Sequence, residues 1–422
     1  MAVKPCIAVV SPFLDKRHGT ERCVVEQIER LARQHGYDVH LYCQRVEDIQ
    51  GLEELGRRNA QREPSHRGSG EAPAMTPPGR IVWHKVSDIP GPHLVKYLWW
   101  FLVNQYRRRR DQKSLGLRYD LVYSPGINCW DADAIIIHIV FHEFHRLVGE
   151  ELRLRGIPLR AWPRAIHRQL YYHLIMALEK QIYSDSNVTL AAVSNLTAGE
   201  VQRLFNRQDV HVIPNAVDVD TFNPAARQKR RGEVRQQMGF AEKDFVLLLV
   251  GNDWKKKGLI YLFQAVAQCP DLPLKVLVVG GDHPAPYEAA FTRLGLAGRV
   301  RFAQPSGDVV QFYAAADAYV GPSLHDSFAL PPAEAMACGL PVITSASNGG
   351  SEMITDAADG FVLQDPKDVD TLAGMIRRLA SCPDLRLRLG ENAARTAQQY
   401  RWERNARQTQ ELLEAVLTRK NR

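Results

Sequence analysis

The sequence predicts an α/β protein built of two tandem, doubly wound, Rossmann-like domains, and three observations carry that expectation. Short apolar runs of strand length alternate with stretches of helical apolar spacing, the pattern of parallel sheets buried on both faces. The alternation restarts after Val212-Ile213-Pro214-Asn215, which describes two units rather than one. The length of 422 residues gives each unit enough chain for its own core.

In order along the chain, Cys6 to Ser11 (CIAVVS) reads as a buried strand, a helix follows from Glu21 through Val25, Ile28 and Leu31, and Val39 to Tyr42 is the next strand. Gly51 to Arg80 is rich in Gly, Pro, Arg, Glu and Ser without aliphatic periodicity, so residues 51–80 are expected to be a mobile excursion. Tyr119 to Ser124 and Ala134 to Val140 are further buried strands, and Val188 to Val193 runs into a capped helix at Ser194-Asn195. In the second half, Phe245 to Val250, Leu274 to Val279, Tyr319 to Gly321 and Val342 to Thr344 are strands, and Leu259 to Ala267 is a helix. Trp402 to Leu417 has helical spacing. The expected domains are residues 1–216 and 217–400, with 401–422 a helix able to return to the first of them.

Composition narrows the class. Hydrophobic residues at 45% and charged residues at 24% exclude global disorder, collagen-like and disulfide-scaffold chains. No apolar run approaches the ~20 residues that span a bilayer, and Met1 to Ser11 lacks the features of a signal peptide. Seven scattered cysteines without a CxxC pair argue against disulfides and zinc, so a cytoplasmic protein is expected. The net charge of +7 is concentrated between His93 and Arg168, with thirteen Lys and Arg against seven Asp and Glu. The Arg107 to Arg110 run lacks the interleaved aromatics of nucleic-acid modules, and neither candidate first βα turn holds the GxGxxG of dinucleotide oxidoreductases. Leu94 to Tyr106 (LVKYLWWFLVNQY), directly before those arginines, admits two readings. One is an interfacial segment, with Trp99, Trp100 and Phe101 in the acyl boundary and the arginines at anionic headgroups, peripheral on the inner face of the cytoplasmic membrane. The other is an amphipathic helix packed on the N-terminal sheet.

Ligands of open α/β sheets bind beyond the carboxyl ends of the strands, so the loops there are the candidates. Gly251-Asn252-Asp253-Trp254-Lys255-Lys256-Lys257-Gly258 combines free backbone amides, a helix N-terminus and ammonium groups, which suits a phosphate. In Gly321 to Ala337, Pro331 and Pro332 suit the first turn of a helix, where their missing N–H groups have no intrahelical partner. Asp326 and Glu334, eight residues apart there, can grip two parts of an elongated polar ligand such as two sugar rings; Glu334 also suits a helix dipole. Gly19-Thr20 before the first helix can approach a phosphate, although a plain turn explains it as well. His138, His142 and His145 match no metal-binding spacing, which leaves His138 as a polar substrate contact or a satisfied buried histidine.

Together these motifs resemble the family 4 (group 1) retaining glycosyltransferases of the two-domain GT-B fold. Val212 to Phe222 (VIPNAVDVDTF) is similar to the family's interdomain signature, Gly251 to Gly258 to its diphosphate loop, Asp326 to Ala337 to its E-x7-E motif, and Gly349 to Ile354 (GGSEMI) to the following turn. The N-terminal match is looser and rests on Ser11 to Leu31, Gly36 to Tyr42 and Ala192-Val193-Ser194. The resemblance implies two domains facing each other across a cleft. The N-terminal one takes a saccharide or lipid-linked acceptor; the C-terminal one takes a nucleotide diphosphate sugar with a hexose-type group. It further implies transfer with retention, without metal or other cofactor, in polysaccharide or glycolipid biosynthesis. The implied catalytic residues are His138, near the sugar and β-phosphate, Lys257, neutralising the diphosphate, and Asp326, facing the sugar. The implied donor contacts are Gly19, Asn252, Lys257, the amides of Phe328, Ala329 and Leu330, and Glu334 on the ribose hydroxyls.

Three positions depart from the family pattern: Asn252 stands where Arg is usual, Asp326 where Glu is usual, and Ala329 where Gly is usual. Losing a bidentate guanidinium weakens diphosphate stabilisation unless Lys255 or Lys256 substitutes. The rival class is a catalytically weak partner protein that binds a nucleotide or another transferase, against which Lys257 and Glu334 together argue. A phosphorylase or epimerase of the same fold is a less well supported alternative.

Overall fold

The computed structural model describes residues 4–54, 78–148, 160 and 162–421. They divide into two units. One takes the described parts of Met1–Ala192, Thr197–Ile213 and Asn405–Arg422, the other Val193–Leu196 and Pro214–Arg404.

The first unit contains β1 (Cys6–Val10), β2 (Phe13–Leu14), α1 (Gly19–Arg33), β3 (Asp38–Cys43), β4 (Arg45–Val46), β5 (Leu52–Glu54), β6 (Ile81–Lys85) and α2 (His93–Leu115). It continues through β7 (Leu121–Ser124), β8 (Ala134–Ile137), α3 (Phe141–Val148), α4 (Trp162–Tyr183), β9 (Thr189–Ala192), α5 (Asn195–Phe205), which belongs to it from Thr197 onward, and β10 (Val210–Val212). Eight strands form one sheet in the order β10-β9-β8-β7-β1-β3-β6-β5, with every neighbouring pair parallel. Helices cover the sheet's apolar faces, and α1 buries Cys23, Val24, Val25, Ile28 and Leu31, the spacing that the sequence predicts.

Two expectations need correction here. The excursion expected over 51–80 begins as an ordered edge strand: β5 pairs with β6, Leu52 opposite Ile81. An edge strand needs only backbone hydrogen bonds on one side, so polar residues suffice. The rest of that excursion, 55–77, lies outside the described residues. In the expected interfacial segment, Trp100 and Phe101 are buried, as is Arg108, which makes a bidentate pair with Asp131 at 2.7 and 2.9 Å. Among the described residues no helix is long and apolar enough to cross a membrane.

The second unit contains α6 (Pro224–Gln237), β11 (Phe245–Val250), α7 (Leu259–Ala267), β12 (Leu274–Val279), α8 (Ala285–Arg293), β13 (Val300–Ala303), α9 (Val310–Ala315) and β14 (Ala318–Gly321). After these come α10 (Leu330–Ala337), β15 (Val342–Ser345), a 3-10 turn (Gly349–Met353), β16 (Phe361–Leu363), α11 (Val369–Ser381), α12 (Pro383–Ala397) and α13 (Trp402–Lys420). Its six parallel strands run β13-β12-β11-β14-β15-β16, so the winding direction reverses between β11 and β14. That reversal opens a crevice at the carboxyl ends of these two strands. Below it, Leu247, Leu249, Val276, Val278, Phe263 and Ile343 form the core. From Asn405 onward α13 belongs to the first unit, where Asn405 accepts from Gln27 Nε2 (3.0 Å) and Lys420 pairs with Asp133 (3.0 Å). All seven cysteines are free thiols.

Candidate functional site

The loops that leave β11 and β14 meet at the reversal point of the second unit. Gly258 is required there twice over. Its φ of +77° is left-handed, and a Cβ would lie 2.0 Å from the Pro322 carbonyl oxygen. The same contact is tied by Leu324 N–H donating to the Lys256 carbonyl (2.8 Å). α7 starts directly after Gly258, so its N-terminal amides open onto this point.

Lys257 is buried to 9% exposure, and its Nζ donates to Asp326 Oδ2 at 2.6 Å. Burial alone would raise the Asp326 carboxyl, but the adjacent Lys257 ammonium outweighs it and holds the carboxyl below the ordinary carboxylate value. The loop doubles back at Gly251 and at Asp253, both with positive φ, and turns Lys257 inward.

The Asp326 backbone is held from β15. Asp326 N–H donates to Ser347 O (2.9 Å), and Gly349 N–H donates to Asp326 O (2.8 Å). Asn348, fully buried, accepts from Ala329 N–H (3.1 Å) and Gly350 N–H (3.0 Å) and donates to Thr344 Oγ1 (3.1 Å). The Ala329 amide is thus engaged, which leaves Phe328 and Leu330 as the available amides of the expected three among the described residues. Gly349 packs so tightly that a Cβ would lie 2.1 Å from the Ser327 carbonyl, which explains the first glycine of GGSEMI. Pro331 and Pro332 fall in the first turn of α10, as predicted. They bring in Glu334, 6% exposed, whose Oε2 accepts from Tyr313 OH at 2.6 Å. Asn252 Oδ1 accepts from Gly281 N–H (2.8 Å), so the residue at the family's arginine position ties the loop to the end of β12.

Lys257, Asp326, Phe328, Ala329, Leu330, Asn252 and Glu334 therefore belong to one unit and to loops or helix starts at the carboxyl ends of its strands. His138 and Gly19 belong to the other unit. His138 follows β8, is 7% exposed, and its Nε2 has no hydrogen-bond partner among the described residues. Burial pushes its pKa down to about 4, so the imidazole is neutral at pH 7. The turn after it is fixed by buried Glu179, which accepts from Phe141 N–H (2.7 Å) and His142 N–H (3.0 Å). His142 thus faces a carboxylate, and among the described residues no group of three or more His, Cys, Asp or Glu is arranged to hold a metal ion. Gly19 is exposed and is the first residue of α1 rather than a residue before it. Just before it, Asp15 accepts from the Arg17 and His18 amides (2.8 and 2.9 Å).

Three further residues escaped sequence reasoning. Tyr313 lies on α9 with no motif around it, Asn348 stands one residue before the quoted GGSEMI turn, and Glu352 lies within it. The Glu352 carboxylate accepts from the amides of Asn195 and Leu196 (both 2.8 Å), so the helix start expected to be capped by Ser194-Asn195 is capped from a distant residue, while Ser194 Oγ donates to Ser327 O (2.7 Å).

The fold and these loops define a two-domain α/β protein of the GT-B architecture, with an anion-suited loop at the strand reversal of its second domain. The model of a family described as "Glycosyl transferases group 1" matches residues 230–396, and that of "Glycosyltransferase Family 4" matches residues 17–221. The chain belongs to the group 1 glycosyltransferase family. It is 33% identical over 253 residues to a D-inositol 3-phosphate glycosyltransferase of Actinosynnema mirum, a match covering 56% of this chain and 58% of that protein. The chain thus spans little more than half the length of the curated relatives it matches. In structure it is similar to WaaG, a glycosyltransferase involved in lipopolysaccharide biosynthesis, with a TM-score of 0.70, 21% identity, and coverage of 95% of this chain and 98% of that one. The Anabaena protein HepE, solved in complex with UDP-glucose, gives a TM-score of 0.67 at 18% identity, covering 97% and 99%.

Proposed function

We propose that this protein is a retaining glycosyltransferase that moves a hexose-type sugar from a nucleotide diphosphate sugar to a saccharide or lipid-linked saccharide acceptor, without a metal ion. The observation that carries the reading is the buried Lys257–Asp326 pair beside the start of α7, at the strand reversal of the second unit. An arriving diphosphate competes with Asp326 for the Lys257 ammonium, and the helix N-terminus adds partial positive charge from the same side. Both act most strongly on the leaving diphosphate, where negative charge develops in the transition state. Fixed cationic groups supply the neutralisation that a divalent ion gives elsewhere, which supports metal independence.

Once released from Lys257, the Asp326 carboxylate can accept from sugar hydroxyls, and the Phe328 and Leu330 amides can donate to them. The family resemblance assigns Glu334, whose Oε2 accepts from Tyr313 OH, to the ribose hydroxyls. The family resemblance assigns His138 to the sugar, and its neutral ring can donate a hydrogen bond there without adding charge. The test is a panel of nucleotide sugars incubated with the protein and saccharide acceptors, with NMR of fresh product. Product that keeps the donor's anomeric configuration supports the reading, and inverted product overturns it.

A further inference from the structure

Helix α2 is apolar on two opposite faces. On one, Trp100 and Phe101 join Ile135, Ile137, Ile175 and Leu178 in the core of the first unit. On the other stand Val95, Leu98, Trp99, Leu102 and Tyr106, which are 47%, 40%, 37%, 60% and 67% exposed. At 3.6 residues per turn these five form a single stripe roughly 100° wide. A second apolar stripe on a helix is ordinarily enclosed, so among the described residues this stripe is an uncovered contact face.

α4 widens it. Leu94 N–H donates to His167 Nε2 (3.2 Å), and the Tyr97 and Tyr171 rings meet edge to face at 5.9 Å, which sets the starts of α2 and α4 side by side. From α4, Ile166 and Leu170 stand 41% and 55% exposed. Trp99 is suited to an apolar medium because its indole N–H is already donated to Ser87 O (3.0 Å).

The two helix stretches that form this face carry one sign of charge, with exposed Asp88 the acidic neighbour beside Ser87. Neither 93–110 nor 162–178 contains an Asp or Glu, while both contain Lys or Arg. Past Tyr106 the same stripe of α2 leads to Arg109, Arg110 and Lys113, all exposed. Exposed aliphatic and indole side chains continuing into cations match an anionic bilayer surface, whose acyl boundary takes the first and whose phosphates take the second. A second copy of the same face would set arginines against arginines.

We propose that the α2–α4 face docks this protein on an anionic lipid bilayer, with Leu98, Trp99 and Leu102 in the acyl boundary and Arg109 and Arg110 at the phosphate layer. The inference goes beyond the transferase reading and is independent of it, because docking is measured without donor or acceptor.

The experiment is flotation of the full chain with phosphatidylcholine vesicles, with and without phosphatidylglycerol, at low and high salt. Binding to the anionic vesicles that weakens as salt rises is expected. The pairs Leu98→Asp with Leu102→Asp, and Arg109→Glu with Arg110→Glu, are each expected to lower partitioning about tenfold or more while keeping the wild-type melting temperature. Partitioning indifferent to lipid charge, salt and both variant pairs overturns the proposal. It is equally overturned if the wild type ignores all vesicles and instead sediments as a dimer that Leu98→Asp with Leu102→Asp dissociates.

Discussion

The loops after β11 and β14 and the turn after β8 handle buried ionisable side chains in opposite ways. In the former, Lys257 is paired with Asp326 and Glu334 with Tyr313 within the same unit. At the latter, His138 Nε2 is buried without a partner among the described residues and the ring stays neutral. Mutual neutralisation offsets the penalty of desolvating two charges and fixes both side chains before a ligand arrives. An unpartnered ring nitrogen costs about 1–3 kcal/mol in the free protein, and a ligand that supplies the missing bond relieves that cost. The first region is thus preorganised for exchange of partners, and the second is a strained position awaiting one.

The largest effect that can break this contrast is at Lys257. Lys257→Ala is expected to lower transfer by roughly 10² or more, read as kcat/KM. It also removes the cation hydrogen-bonded to the partly buried Asp326, so unfolding stability should drop by about 3 kcal/mol or less in a denaturant titration. Adding Asp326→Ala to it should restore most of that stability and none of the activity, which separates the pair's structural role from its chemical one.

At His138 the effect is on pH dependence. Its pKa is about 4 in the folded chain against an ordinary 6.5, so between those values the unfolded state binds more protons. Stability from this group is complete above pH 6.5 and declines as pH falls toward 4, by at most about 3 kcal/mol. His138→Gln should flatten the stability profile in that window relative to wild type. An unchanged slope would show that the ring is not held neutral by burial.

Glu334→Gln keeps the shape of the site and removes a charged acceptor, so nucleoside diphosphate binding should weaken about tenfold while the melting temperature holds. The smallest effect is from EDTA, which should leave transfer unchanged. A loss restored by added divalent cation would assign diphosphate neutralisation to a metal rather than to Lys257.

What the sequence made legible follows from locality. FVLLLV is a continuous apolar run and LKVLVV is interrupted only by Lys275, as doubly covered strands require, and the loop that leaves the first carries a motif. Pro331 and Pro332 announced the start of α10, and Gly258 the loop before α7, because each acts on its own backbone. The unreadable parts depend on residues far apart in the chain. Glu334 meets Tyr313 from another helix, and Lys257 meets Asp326 from another loop, so neither partner nor burial is written near the residue itself. In α2 the apolar residues run all round the helix, so periodicity had no means of separating Trp100, which is buried, from Trp99, which is exposed. β6 and its edge partner β5 are too short and mixed to stand out from the polar stretch between them.

The central claim is that the second unit binds a nucleotide diphosphate through Lys257 rather than through a metal. Calorimetric titration of UDP, GDP and ADP into wild type and Lys257→Ala, each in EDTA, tests it most directly. Binding of at least one diphosphate by the wild type, with a Kd at least about tenfold weaker in the variant, is the expected result. Equal affinity in the two proteins, or binding only after a divalent cation is added, would contradict it.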